Sequence, residues 1–187
     1  PELINRVTTP SGGKSGSARA LEISTKEKDT DTGEDDLTTV EFAKLWRKLT
    51  RADQPLFIMR VWLPPFGQWG DTYCFGFRHE SFLENGSKDQ NSSSMFLCRR
   101  NGSKPFFKYR SGTSKLFYEV YDPRPIEKDG WWTLAVAFDQ NGFDHYYAYP
   151  GVSTLTEKDK RFDTTQLLDS RPVEQAGWWT AAFALDE

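Results

Sequence analysis

Several groups of residues in this chain have the types and spacing to do chemistry. Asp29-Thr30-Asp31-Thr32-Gly33-Glu34-Asp35-Asp36 puts carboxylates at alternating positions around a glycine. A hard cation such as calcium takes roughly six to eight oxygens, so Asp29, Asp31, Asp35 and Asp36 are the candidate metal ligands. The loop lacks the third Asp/Asn before its glycine and the distal Glu of an EF-hand, and a solvated charge run is the alternative. His145 and Tyr147 lie two residues apart, so on a strand they share a face, the arrangement acid/base work needs. The competing account is a strand with polar tips.

A third group is spread along the chain: Arg60, Trp62, Arg78, Arg100, Arg110, Tyr121, Trp131 and His145, with Lys108 and Glu119. Arg60, Trp62, Arg78, Arg100, Lys108, Arg110, Glu119 and Tyr121 fall on the expected non-core faces of strands, and Trp131 and His145 could join them. If those strands are neighbours, they form one basic, aromatic-lined sheet surface, on which rings stack against sugar C–H faces and guanidinium groups pair with carboxylate or sulfate. A solvated sheet face with scattered cations is the alternative. Two Cys and two His are too few, and wrongly spaced, for a structural zinc site. No Ser-His-Asp context and no phosphate-cradling glycine loop is present.

The elements that must position these residues are strands. Gly130 to Gly151, GWWTLAVAFDQNGFDHYYAYPG, reads as one long β-hairpin, with strands over 131–138 and 143–149 and Asn141-Gly142 at the tip. Asn-Gly accepts positive φ at both turn positions at low cost. Leu56 to Leu63 alternates, with Phe57, Met59, Val61 and Leu63 on one face and Leu56, Ile58, Arg60 and Trp62 on the other; Pro64-Pro65 ends it. Strands are also expected at 18–25, 37–42, 72–79, 94–100, 106–110, 115–121 and 177–185, with Ser111-Gly112 as a hairpin turn and polar loops over 80–93 and 152–170. Residues 1–17 read as an extended lead-in. Phe42 to Leu49 carries the one helical pattern, Phe42, Leu45, Trp46 and Leu49. The segment GWWTAAFAL near the C-terminus repeats GWWTLAVAF, which fits two strands at equivalent places in a sandwich, each buried by its Trp pair.

A hairpin of 72–79 with 94–100 centred on Gly86 sets Cys74 opposite Cys98, Phe75 opposite Leu97 and Phe77 opposite Met95. A disulfide and two adjacent reduced thiols are both open for such a pair.

Many short strands with turn signals and almost no helical periodicity give an all-β, two-sheet antiparallel β-sandwich or jelly roll. The 187 residues read as a single domain with a real core. The net charge of −3 offers nothing for a nucleic-acid partner, and no apolar run is long enough to insert in a membrane. Seven Trp, fourteen Phe and seven Tyr serve either a bulky core or a stacking surface for a ligand. The chain opens at Pro1 without a leader, which reads as a mature or trimmed product, and Asn-X-Ser triplets at Asn85, Asn91 and Asn101 add slight weight to secretion.

The order of strands, the small-residue lead-in followed by ALEIST, and the strand WWTLAVAFD-x-NG resemble the concanavalin A-like lectin/glucanase superfamily, which includes laminin-G-type modules, carbohydrate-binding modules and jelly-roll polysaccharide lyases. The resemblance covers most of the chain. It implies glycan binding or cleavage, often with a calcium ion supporting a loop. The glucanase signature Glu-x-Asp-x-x-Glu is not matched: Glu157-Lys158-Asp159-Lys160-Arg161-Phe162 has Phe162 where the acid belongs. The lyase branch implies Arg60, Arg78, His145 and Tyr147 as catalytic residues, without the Gln-x-His of that branch. The expectation is therefore a secreted or surface-exposed, non-catalytic module binding carbohydrate, including acidic glycans. A lyase or hydrolase of the same fold, or a structural or protein-interaction domain, are the alternatives. Convergence of Arg60, Arg78, His145 and Tyr147 in one groove would mark the enzyme.

Overall fold

Alternation of apolar and polar residues sorts this chain into strands, and in the computed structural model the strands assemble into antiparallel sheets. The structure describes residues 3–8, 19–24, 38–41, 50–68, 72–82, 88–100, 103–112, 117–166 and 178–186. Twelve strands lie within them: β1 (Leu3–Thr8), β2 (Arg19–Ser24), β3 (Thr38–Glu41), β4 (Leu56–Leu63), β5 (Thr72–Phe82), β6 (Lys88–Arg100), β7 (Phe106–Gly112), β8 (Phe117–Tyr121), β9 (Gly130–Phe138), β10 (Asp144–Pro150), β11 (Lys160–Asp163) and β12 (Trp178–Asp186). A six-stranded sheet runs β3-β12-β5-β6-β7-β8, a four-stranded sheet runs β11-β10-β9-β4, and β1 pairs with β2. No α-helix occurs among the described residues, and none of their helical turns is long and apolar enough to cross a membrane.

The four-stranded sheet packs on the six-stranded one as a β-sandwich. Met59, Val61 and Leu63 of β4, with Trp132, Leu134 and Val136 of β9, meet Met95 and Leu97 of β6 and Phe107 and Tyr109 of β7 in one buried cluster. The predicted inward set of β4 is thus the observed one, and Leu56, Ile58, Arg60 and Trp62 point away from the core. Aromatic contacts tie the layers: Phe107 meets Trp132 edge-on at 5.6 Å, and Tyr109 stacks on Phe162 at 5.1 Å.

Several sequence expectations are corrected. The lead-in is not wholly extended coil, because Leu3–Thr8 pairs with Arg19–Ser24 as a hairpin. Ser111 and Gly112 lie inside β7 and pair with Ser93 and Ser92 instead of forming a turn. Strands β5 and β6 run into the expected polar loop 80–93, since Ser- and Asn-rich sequence can hold a ladder through backbone hydrogen bonds alone. The expected loop 152–170 contains β11, an edge strand anchored by Phe162 opposite Tyr146. The two GWWT segments occupy interior strands of different sheets, β9 and β12. In β9 the pair is split: Trp132 is buried in the core and Trp131 faces outward, as the two-residue period of a strand requires. The helical pattern at 42–49 lies outside the described residues.

Register argues the same way. Cys74 faces Cys98, Phe75 faces Leu97 and Phe77 faces Met95. The cysteine Cα atoms are 4.1 Å apart and the pair is a disulfide. At Gly76 the backbone of β6 leaves no room for a side chain: a Cβ there would lie 2.0 Å from the Met95 carbonyl oxygen.

Polar groups inside the sandwich are paired across it. The Tyr146 hydroxyl lies 2.7 Å from Ser93 Oγ and donates to the Arg110 carbonyl at 3.0 Å. Ser111 Oγ donates to the fully buried Asp144 at 2.7 Å. Tyr146→Phe leaves these partners short of a bond and is expected to cost about 1–2 kcal/mol in denaturant unfolding. Reduction of Cys74–Cys98, which closes 24 positions of chain, should cost about 3 kcal/mol, read as a lowered Tm under a thiol reductant.

Candidate functional site

The site is built on the face of the four-stranded sheet turned from the core, where the two-residue period that buries Trp132 and Tyr146 places Trp131, His145 and Tyr147 half-buried, while Thr133 and Ala135 on the same face are fully buried. Register sets Leu56, Ala137, His145 and Asp163 in one cross-strand row, and Ile58, Ala135, Tyr147 and Lys160 in the next. Arg60, Thr133 and Tyr149 follow, then Trp62 beside Trp131. Trp62 and Tyr149 are 38% and 37% exposed, and the Trp62 and Trp131 rings meet edge-on at 5.7 Å.

At the His145 end this face holds a cleft of about 260 Å³, lined by Gln54, Ala137, Asp139, His145, Tyr147, Glu157 and Lys160. Three turns shape it. The hairpin turn closes on Gly142, whose φ of 91° is the only positive one in the tip, so the Asn141-Gly142 pair does not take positive φ twice as its sequence allows. Asp139 explains the difference: its Oδ1 accepts from the backbone N–H of Asn141 at 2.8 Å and of Phe143 at 2.9 Å, which fixes a three-residue loop with a glycine bulge. Two Thr-x-x-Asp turns form the other rims. In one, Thr50 N–H and Oγ1 both donate to Asp53 Oδ2; in the other, Thr156 N–H and Oγ1 donate to Asp159 Oδ2. The first presents Gln54, a non-glycine residue at φ 48°, and the second presents Glu157.

The side chains of the cleft are linked. His145 Nε2 lies 3.2 Å from Asp139 Oδ2, while Nδ1, shielded from solvent, lies 4.0 Å from Asp163 Oδ2. Tyr147 donates to Glu157 Oε1 at 2.9 Å, and Lys160 Nζ lies 2.7 Å from Glu157 Oε2 and 5.8 Å from the Tyr147 ring centre. Burial pushes the Asp139 carboxyl up, but the hydrogen bonds from Phe143, His145 and Asn141 outweigh it and hold it below its ordinary value. Lys160 and then Tyr147 hold Glu157 below its ordinary range. Burial, reinforced by Glu157, pushes the Tyr147 phenol up to about 12. At neutral pH the cleft therefore presents ionised carboxylates beside a phenol that remains a donor.

The residues expected to form one surface divide between the two sheets. Arg60, Trp62, Trp131 and His145 lie on the four-stranded sheet, whereas Arg78, Arg100, Arg110 and Tyr121 belong to strands β5 to β8 of the other. Arg110 pairs with Glu119 at 2.6 Å, Tyr121 also bonds Glu119, and the Lys108 and Arg110 head groups lie over the Phe96 ring. That layer faces away from the core on the opposite side of the sandwich. The condition set for an enzyme, convergence of Arg60, Arg78, His145 and Tyr147, is not met: Arg78 is in the other sheet, and Arg60 lies four positions along β4 from the His145 row, about 13 Å at strand rise. The calcium ligands expected at Asp29, Asp31, Asp35 and Asp36 lie outside the described residues. Among the described residues no group of three or more His, Cys, Asp or Glu side chains is placed to hold a metal ion.

Gln54, Asp139, Glu157 and Lys160 were not among the residues singled out from sequence as a site. The two Thr-x-x-Asp boxes were the signal for the turns that present Gln54 and Glu157. Comparisons with protein-family models, with curated proteins and with solved structures found no match.

The Tyr147 shift has a sign that can be measured. The folded protein holds the phenol proton more tightly than the unfolded chain, so this contribution to stability is complete below about pH 10 and is lost as pH rises toward 12. Ultraviolet titration should show one tyrosine ionising near pH 12, and Glu157→Gln should bring that transition down.

Proposed function

We propose that the outward face of the four-stranded sheet binds glycan and that the protein is a non-catalytic carbohydrate-binding module. The observation that carries this reading is a set of rings on one sheet face, exposed at Trp62 and Tyr149 and half-buried at Trp131 and Tyr147, beside a polar cleft that can hold a sugar's hydroxyls. Sugar C–H faces stack on such rings, while carboxylate, phenol and ammonium groups fix the hydroxyls around them. Binding is favoured over elimination because His145 Nε2 is engaged by Asp139 and Nδ1 is shut off from solvent, which leaves the imidazole poorly placed to take a proton from a substrate. The reading takes up what the concanavalin A-like resemblance implies, and includes a secreted or surface location, with which the disulfide is compatible.

A second reading, a protein-interaction module, is favoured by Leu56 and Ile58, which are 56% and 49% exposed beside the cleft on the terminal strand of the sheet.

Titration of neutral, amino and acidic oligosaccharides, with calcium and with a chelator, tests the proposal. Trp62→Ala and Tyr149→Ala should each weaken glycan binding by about tenfold, the effect of losing one stacked ring at roughly 1.4 kcal/mol. Loss of binding on chelation would add the calcium loop at Asp29–Asp36 to the reading. Failure of every glycan to bind would leave the protein-interaction module.

A further inference from the structure

The two layers of the sandwich are unequal, six strands against four. They are flush at one edge, where Arg161 of β11 lies 3.3 Å from Asp122 in the strap after β8, and Arg124 of that strap donates to the Arg161 carbonyl. Strand order then carries β12 and β3 past β4 at the other edge, and among the described residues no strand of the smaller sheet lies opposite them. The overhang is apolar by register. The row of Met95 runs through Phe77 to Phe183 of β12 and Val40 of β3, and the row of Leu97 runs through Phe75 to Leu185. Met95 and Leu97 are core residues, so both rows continue the core-facing side of the sheet.

The β4 edge beside this overhang is equally unfinished. Phe138 N–H donates to the Pro55 carbonyl at 3.1 Å, and from that pair onward the ladder with β9 uses the backbone of Phe57, Met59, Val61 and Leu63. The N–H and C=O groups of Leu56, Ile58, Arg60 and Trp62 are therefore directed away from β9, and among the described residues no strand pairs with them. Along its eight residues β4 has no proline, no bulge and a single charge, which makes it an edge open to a further strand.

We infer that the hairpin β1–β2 adds to the β4 edge, completing a six-stranded layer over β12 and β3 and capping the edge against strands of other chains. The hairpin is a two-stranded sheet bonded to neither layer, and such a hairpin is marginal in water unless it packs on something. Its two strands match the two that overhang, and its register sets Ile4, Leu21 and Ile23 on one side. Residues 25–37 tie it to β3, the outermost strand of the overhang. Fully extended, that connection reaches about 40 Å, against roughly 10 Å between packed sheets. A second copy of the chain does not fit by two-fold pairing through β4, because its own overhanging β12 and β3 would enter the same space. The closure involves the edge of the sheet and stands whether or not the outward face binds glycan.

Residue-resolved amide hydrogen exchange on the whole chain tests this closure. The N–H groups of Met59 and Val61 bond to β9 and report that the sandwich is folded. With the hairpin docked, the edge-directed N–H groups of Ile58 and Arg60 should exchange at least about a hundredfold more slowly than those of an open edge. Ile23→Pro, which takes a backbone donor out of the hairpin, should return both to fast exchange while Met59 and Val61 stay protected. Leu21→Lys combined with Ile23→Lys, which charges the apolar side of the hairpin, should do the same and serves if the proline variant loses protection at Met59. Fast exchange at Ile58 and Arg60 in the unaltered chain overturns the closure. Protection that survives both variants assigns the edge to another occupant and overturns it as well. So does protection that rises with protein concentration, the mark of a second copy.

Discussion

The register of β9 between β4 and β10 is the constraint on which the rest of the structure depends. Because side chains alternate, the same pairing that turns Trp132, Leu134, Val136 and Phe138 into the core cluster puts Trp131, Thr133, Ala135 and Ala137 on the opposite face, where Thr133 and Ala135 are also buried. A slip by one residue would bury the small set and expose the large one, losing several fully buried side chains at once. The polar bridges lock the same register from the other layer. Tyr146 reaches Ser93 and the Arg110 carbonyl, and Asp144 accepts from Ser111, only when β10 sits at its observed height over β6 and β7. Buried polar groups of this kind are costly to leave unpaired, so they specify one alignment where apolar packing would tolerate several.

The cleft follows from that alignment and from three turns. Small outward residues of β9 leave space beside Ala137, and the larger side chains of β10 form a wall. The turn at Asp139 and the two Thr-x-x-Asp turns bring polar groups to the rim. Each turn is stabilised locally by a carboxylate accepting backbone N–H groups, so the rim is ordered without drawing on the core. A similar economy operates where the strap after β8 meets β11, with buried Asp122 accepting from Tyr109 and Arg124 and lying 3.3 Å from Arg161 Nε. Burial raises the Asp122 carboxyl, and these donors, Arg124 first, outweigh it and keep it ionised. That network joins the strap after β8 to β11 and holds the edge strand on which Lys160 stands.

Much of the fold was legible in the sequence. The faces of β4, the long hairpin of β9 and β10, and the pairing of Cys74 with Cys98 all rest on strand period and turn chemistry, which are local. The short edge strand β11 was not legible, because Lys160-Arg161-Phe162-Asp163 has a single apolar residue and its strand character comes from pairing with β10. Nor was the fate of the Trp pair in GWWT, where burial of one ring and exposure of the other depends on which layer lies opposite.

By itself the sequence determined an all-β chain, most of the strands that carry its core and the two faces of β4, since these follow from a period of two and from turn-forming residues. The tertiary structure alone decided which outward faces share a surface. Arg110 and Tyr121 were separated from Trp62, Trp131 and His145 by the assignment of their strands to different sheets. Gln54, Asp139, Glu157 and Lys160 were gathered from segments more than a hundred positions apart. Sheet order is set by long-range pairing and the burial it allows, and alternation within one strand carries no information about its neighbours.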